Sequence, residues 1–194
     1  MRKVVLDEIL GLERYEQSRD QFRRRIIDLK KHRRVAVGDQ VTLVFENHDT
    51  MLFQIQEMLR AEHITDLDKV RDEIDVYNAL IPNPGELSAT LLIEITESDR
   101  IRDDLLRLLG IDEAVRLEIG EHCVVRGVFE PGHSRDDKLS AVQYVRFVFD
   151  AAARAAFVDG HEPVRLVIDH PNYRHAAVIS DAVRASLSAD VTVP

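Results

Sequence analysis

A single cysteine, Cys123, and no tryptophan occur in 194 residues. A lone cysteine makes neither an intrachain disulfide nor a thiolate metal site. Aromatic residues are few, so the core is expected to be rich in Val, Leu, Ile and Ala. No apolar run approaches the ~18 residues that a membrane span requires. The first residues, Met1-Arg2-Lys3-Val4-Val5-Leu6-Asp7-Glu8, meet acid too soon for a secretion signal. A cytoplasmic protein that avoids membranes is the expectation. The chain also lacks Gly-x-x-x-x-Gly-Lys, Gly-x-Gly-x-x-Gly, His-Glu-x-x-His, Cys-x-x-Cys and Gly-x-Ser-x-Gly. Without them an NTPase, a dinucleotide enzyme, a zincin and an α/β-hydrolase are all disfavoured.

What is abundant is charge, and it is unevenly placed. Residues 1–34 hold 11 Lys/Arg against 6 Asp/Glu, a net of +5. Residues 35–194 hold 15 against 29, a net of −14. A basic arm on an acidic body packs on its own chain or a twin subunit, faces nucleic acid, or is a solvated helix face. Nucleic acid is the least expected, because the acidic body repels phosphates.

The hydrophobic pattern predicts a single α+β domain over 1–194, with 1–34 a basic helical segment packed on the body. Asp7 to Arg34 reads as helix. Leu6, Ile9 and Leu10 share one face, whereas Tyr15, Phe22, Ile26 and Leu29 share nearly the opposite one. At about 100° per residue the two stripes do not join, which predicts a break near Gln17–Asp20 and a second helix, Asp20 to Arg33, with Asp20 as its N-cap. Val35 to Phe45 reads as two short strands around Gly38-Asp39, or as one strand after a turn. Helices follow from about Thr50 to His63, for which Asn47, Asp49 and Thr50 offer caps, and from a cap at Thr65 or Asp66.

The rest is strand-rich. Strands are expected at Leu87–Ile95, Ala114–Ile119, His122–Phe129, Ala141–Phe149 and Val164–Ile168. Gly120-Glu121 is a two-residue hairpin signal. Short helices are expected at Asp99–Leu109, capped by Ser98, at Asp150–Val158, ended by Asp159-Gly160, and at Asp181–Ala189. Pro131 to Lys138 reads as a polar loop. Helices early and strands late predict α+β, with a mostly antiparallel sheet covered by N-terminal helices.

Three polar sets could carry chemistry. The first runs from Glu46 through Gln54, Glu57 and Arg60 to Glu62. With Met51 at zero on a helical wheel, Glu62 falls at about 20°, on the apolar side. A carboxylate there is either a buried ligand or acid–base group, or a last-turn residue reaching water or an arginine. The second is Asp169-His170-Pro171-Asn172-Tyr173-Arg174-His175, after a strand. It is either a loop holding divalent-metal ligands or an Asx/Pro turn bonded to its own backbone. The third is Glu73, Tyr77 and Asn78 at a helix end, read first as a structural hydrogen-bond set. The candidate binding residues are therefore Glu46, Gln54, Glu57, Arg60, Glu62, Tyr77, His170 and Tyr173. The metal candidates are Glu57, Glu62, His170 and His175. No cofactor is required by the sequence; a divalent metal is the one this donor set would take.

Several segments taken together resemble a known family. They are Phe45-Glu46-Asn47-x-Asp49-Thr50, Gln54-Ile55-Gln56-Glu57-Met58-Leu59-Arg60, Tyr77-Asn78-x-Leu80-Ile81-Pro82, Ala89-Thr90-Leu91 and Asp169-His170-Pro171-x-Tyr173. Leu12-Glu13-x-Tyr15-Glu16 and Lys30-Lys31-x-Arg33-Arg34 also fit. The pattern resembles the bacterial family called domain of unknown function 3501, over nearly the whole chain. That family has no assigned activity. Its genes often stand beside those of rubrerythrin-like di-iron proteins and iron–sulfur oxidoreductase subunits. The resemblance implies a link to redox or oxidative-stress chemistry, not a reaction. An accessory protein that docks to a redox enzyme, with a homodimer as its expected assembly, is the preferred reading. A metal-dependent enzyme built on the Glu57/Glu62 and His170 regions is the alternative. Family members often carry Arg where this chain has His48, so His48 is not carried over as a ligand.

Overall fold

A computed structural model describes residues 1–97, 99–130, 134–135 and 138–192. A 3-10 turn at Leu6–Glu8 leads into helix α1, Leu12–Lys31. Strands β1, Arg34–Val37, and β2, Val41–Glu46, follow. Helices α2, His48–Ala61, and α3, Leu67–Asn78, come next, and then strand β3, Glu86–Ile93. Helix α4 spans Ile101–Arg107, before strands β4, Val115–Ile119, and β5, Cys123–Phe129. A small hairpin joins β6, Ser134–Arg135, to β7, Lys138–Leu139. Strand β8, Val142–Val148, helix α5, Ala151–Asp159, strands β9, Val164–His170, and β10, Tyr173–Val178, and helix α6, Asp181–Thr192, complete the chain.

Eight strands form one sheet in the order β1-β2-β3-β8-β5-β4-β9-β10, and each pairing is antiparallel. The expected α+β class and antiparallel sheet are therefore present. The sheet curls until its edge strands meet as a nearly closed barrel. Tyr173 fastens the seam: its phenol donates to the Val37 carbonyl at 2.6 Å and accepts from the Gln40 N–H at 3.0 Å. Gly38, in the turn beneath it, has a φ of +74°. A Cβ there would strike the Tyr173 hydroxyl and the His175 ring, so only glycine fits.

Alternation places the core. In β4 Val115, Leu117 and Ile119 point inward, while Arg116 and Glu118 point outward. Arg165 on β9 stands opposite Glu118 and binds it at 2.8 Å. Inside the barrel Leu43, Phe45, Leu87, Leu91, Phe147 and Leu166 are essentially inaccessible. Each such side chain contributes about 1.5–3 kcal/mol of burial. Helices α5 and α6 add Phe157, Val183, Leu187 and Val191 to the same core.

The sequence-based picture of N-terminal helices covering the sheet needs correction here. The main core is enclosed by the curvature of the sheet and by the C-terminal helices. The N-terminal helices build a second core of Val4, Met51, Ile55, Leu59, Val70, Ile74, Leu80 and Ile81, against which Tyr144 of β8 packs.

Other expectations shift locally. Helix α1 is continuous through Gln17–Asp20; the interruption falls at Ile9–Gly11 instead. The two apolar stripes fail to join because Leu6 and Ile9 belong to the preceding turn. The Asp20 cap is replaced by Gly11. The stripe of α1 packs on α2, with Tyr15 and Ile26 buried and Phe22 edge-on to Phe53 at 5.6 Å. Asn47 caps α2 and Asp66 caps α3, as the sequence offered. The β4–β5 hairpin closes on Ile119 opposite Cys123, so its loop has three residues, not two. The stretch after Asp169 is the β9–β10 hairpin, with His170 opposite Tyr173. The Ser98 cap and the 131–133 and 136–137 parts of the expected loop, His133 included, lie outside the described residues.

Candidate functional site

The candidate residues separate into sets that do not touch one another. Glu57 sits on the face of α2 that meets α1. Its carboxylate accepts from Tyr15 Oη at 2.7 Å and from Arg19 Nε and Nη2, each at 2.7 Å. Arg60 lies 3.8 Å away. The two-pronged Arg19 contact holds the Glu57 carboxyl down to about 2, with burial opposing and the Tyr15 hydroxyl assisting. Burial first, and then Glu57, pushes the Tyr15 phenol up. The set is a clasp between α1 and α2, with both carboxylate oxygens bonded.

This clasp has a pH signature. A carboxyl depressed on folding stabilises the native state above its unfolded pKa, near 4.5, and loses that contribution as pH falls through about 2. Glu57→Gln is expected to cost about 1 kcal/mol at neutral pH once solvent screening of this half-exposed pair is allowed for. It should also flatten the acid limb of the stability curve below about pH 4.5. Urea melts of both proteins between neutrality and strong acid check this; parallel acid limbs would exclude the clasp.

Glu46 is the second focus. It closes β2, with 2% of its surface exposed. Oε1 accepts from Thr90 Oγ1 at 2.7 Å and, at the long distance of 3.5 Å, from Gln54 Nε2. Oε2 is buried and meets no hydrogen-bond donor among the described residues. Strand register sets Thr90 beside Tyr144 on β8. Tyr77 of α3 and Tyr144 both pack against the second core. Both phenols are pushed up, first by burial; Glu73 and then Tyr144 and Glu62 act on Tyr77, and Glu130 and then Glu46 act on Tyr144.

Glu62 itself is exposed at the α2 C-cap, so the buried carboxylate expected from the wheel is not there. The helix ends at Ala61, and the turn carries the side chain outward. The expected single network of Glu46, Gln54, Glu57, Arg60 and Glu62 is thus two sets and an exposed residue. Asn78 is structural: its amide bonds the Val4 N–H at 2.8 Å and the Val4 carbonyl at 2.9 Å, stitching the N-terminal segment to α3.

The third region lies at the β9–β10 hairpin. His170 is buried; Nε2 meets the Leu109 carbonyl at 2.8 Å and Nδ1 accepts from the Asn172 N–H at 3.2 Å. With both nitrogens engaged, His170 has no lone pair left to offer a metal. His175 is exposed and its ring lies 4.4 Å from that of Tyr173. Tyr173 serves the barrel seam, and burial pushes its phenol up. Among the described residues no group of three or more His, Cys, Asp or Glu is disposed to hold a metal ion. Glu57 and Glu62 on α2 therefore do not combine with His170 and His175.

Sequence reasoning missed the most buried charge. Arg33 is 1% exposed and donates to the Phe45 and Glu46 carbonyls, to Ser186 Oγ and to the Asp190 carboxylate. Its place in Lys30-Lys31-x-Arg33-Arg34 was the available signal; Asp190 gave none. His48 lies between Glu8 and Asp49, at 3.2 and 3.1 Å.

One open groove lies beside the clasp. It encloses about 660 Å³ between α1, the start of α2 and the preceding turn. Leu10, Phe22 and Leu52 form its floor, and Glu8, Arg25 and Asp28 stand on its rim. No helix among the described residues is long and apolar enough to cross a membrane.

A family model described as "Protein of unknown function (DUF3501)" matches residues 3–191. A crystal structure of a novel protein of unknown function from Burkholderia pseudomallei K96243 is 37% identical and superposes with a TM-score of 0.92. That match covers 98% of this chain and 100% of the other. No curated protein matches this chain.

Proposed function

Because this chain belongs to the DUF3501 family, we propose that it is a cytoplasmic accessory protein that docks to a redox enzyme. The proposed partner is a rubrerythrin-like di-iron protein or an iron–sulfur oxidoreductase subunit, the neighbours that the family resemblance implies. The groove between α1 and α2 carries the reading. Its apolar floor and charged rim have the layout of a protein interface, with a core that excludes water and a rim that stays wet. Arg23 and Arg24 are exposed on the same helix, which gives it a basic face on an otherwise acidic chain. Such a face steers an acidic partner toward the groove. The Glu57 clasp supports the same reading, since it holds α1 and α2 in fixed register beneath a partner. A second copy of this chain is the other occupant of such a groove, and nucleic acid is disfavoured by the net charge of −9.

Calorimetric titration against the purified di-iron and iron–sulfur proteins of the source organism tests the reading. Saturable binding to one of them is expected. Arg25→Glu with Leu52→Glu should weaken it by about tenfold or more, as expected for loss of a rim charge and a floor contact. Melting temperatures of parent and variant are compared alongside, because Leu52 also packs against the second core. Absence of binding to both proteins, or unchanged affinity in the double variant, would overturn the proposal.

A further inference from the structure

Glu46 presents a physical problem that its own chain leaves open. A carboxylate removed from water needs donors on both oxygens, because an unpaired one costs several kcal/mol or more. Oε1 has Thr90 and, weakly, Gln54. Oε2 has no donor among the described residues. Two guanidinium groups stand close by, and neither serves it. Arg33 donates to the main-chain carbonyl of Glu46 at 3.1 Å and gives its charge to Asp190. Arg146 lies in the same cross-strand row, since Ser88 is opposite both Glu46 and Arg146. It bonds Glu86 at 3.0 Å and the Ala79 carbonyl.

The surroundings say what kind of donor is wanting. Register carries Glu46, Thr90 and Tyr144 obliquely across the outer face of β2, β3 and β8. Tyr77 joins them from α3, and both tyrosines are half-buried, whereas Glu46 is buried. Tyr144 lies near enough to feel the Glu46 charge, and Tyr77 near enough to feel Tyr144. Among the described residues, Glu73 and Glu62 act on the Tyr77 ring, and Glu130 and Glu46 on the Tyr144 ring. A buried carboxylate beside aromatic rings suits an ammonium group, which offers N–H donors and is attracted to ring faces. A metal ion fits less well, because no set of three or more His, Cys, Asp or Glu gathers here among the described residues.

We propose that Glu46 is the anionic anchor of a binding site for a small primary amine, admitted between Tyr77 and Tyr144. The ammonium group donates to Glu46 Oε2, Thr90 and Gln54 hold the carboxylate in place through Oε1, and the tyrosines flank the cation. This site is separate from the α1–α2 groove and does not depend on docking.

The test is calorimetric and thermal-shift titration of the full chain with methylammonium, 1,4-diaminobutane, choline and, separately, Mn²⁺. The primary amines are expected to bind and to raise the melting temperature. Choline, which has no N–H, should bind at least about tenfold more weakly, as loss of one charge-assisted hydrogen bond implies. Glu46→Gln should lower amine affinity by about tenfold or more and keep a cooperative melt. Should that variant fail to fold, Tyr77→Ala, at a half-buried position, decides the matter with an expected loss of about threefold or more. No amine binding to the parent, choline binding as well as methylammonium, binding of Mn²⁺ alone, or unchanged affinity in the variants would each overturn the proposal.

Discussion

Asp190→Ala is expected to destabilise the fold by about 3–5 kcal/mol, the cost of stranding a buried guanidinium. Arg33 and Asp190 are 1% and 7% exposed at their side chains and bind each other directly. Burial pushes the Asp190 carboxyl up, and the Arg33 charge pulls the other way. The pair joins the start of β1 to the last turns of α6 and also ties down the end of β2 through the Phe45 and Glu46 carbonyls. Removing the acid leaves those carbonyl bonds but no counter-charge. For a chain of this size the loss corresponds to a fall of about 10 °C in melting temperature. Arg33→Met combined with Asp190→Leu should recover most of it, because a matched apolar pair carries no desolvation penalty. Urea melts at neutral pH measure both. A loss below about 1 kcal/mol in Asp190→Ala would mean that the pair is not buried as described.

That pair also shows where reading the sequence stops. Arg33 and Asp190 are 157 residues apart, and no local pattern connects them. Elements governed by local rules were legible: the Asn47 and Asp66 caps, the stop at Gly160 with its φ of +83°, and the alternation in β4. Strand β10 was not, because Asp169 to His175 is dense in polar residues and three of the first four residues of β10 are exposed. Polar density was read as a loop, whereas the hairpin satisfies those groups through its ladder and through His170. The α1 stripe is legible, but the break before it lies at Ile9–Gly11 and not near Gln17–Asp20. Closure of the sheet was hidden as well, since a seam made by one tyrosine hydroxyl leaves no periodic trace. Of the candidate residues, Glu46, Gln54 and Glu57 lie on β2 and α2. Their division into two sets depends on partners, Tyr15, Arg19 and Thr90, that only the fold brings near.

Phe147→Ala should cost about 3–5 kcal/mol, the range for emptying an aromatic position in a core. Phe147 is fully buried on β8, opposite Leu87 on one side and Gly127 on the other. Its ring lies 6.2 Å from that of Phe45. Gly127 has no side chain to refill the space, so a cavity should persist in the barrel. Val148→Ala, next in the strand and 56% exposed, should stay within about 0.5 kcal/mol of the parent. Equal losses at the two positions would mean that β8 does not present one face to the barrel interior.

Docking through the α1–α2 groove is the central claim, and amide hydrogen exchange of the chain saturated with its di-iron or iron–sulfur partner tests it most directly. Slowed exchange is expected in residues 8–12, along 18–28 and at the start of α2 around Leu52, with the β9–β10 hairpin unchanged. Slowed exchange confined to that hairpin, or no change in the groove at saturation, would contradict it.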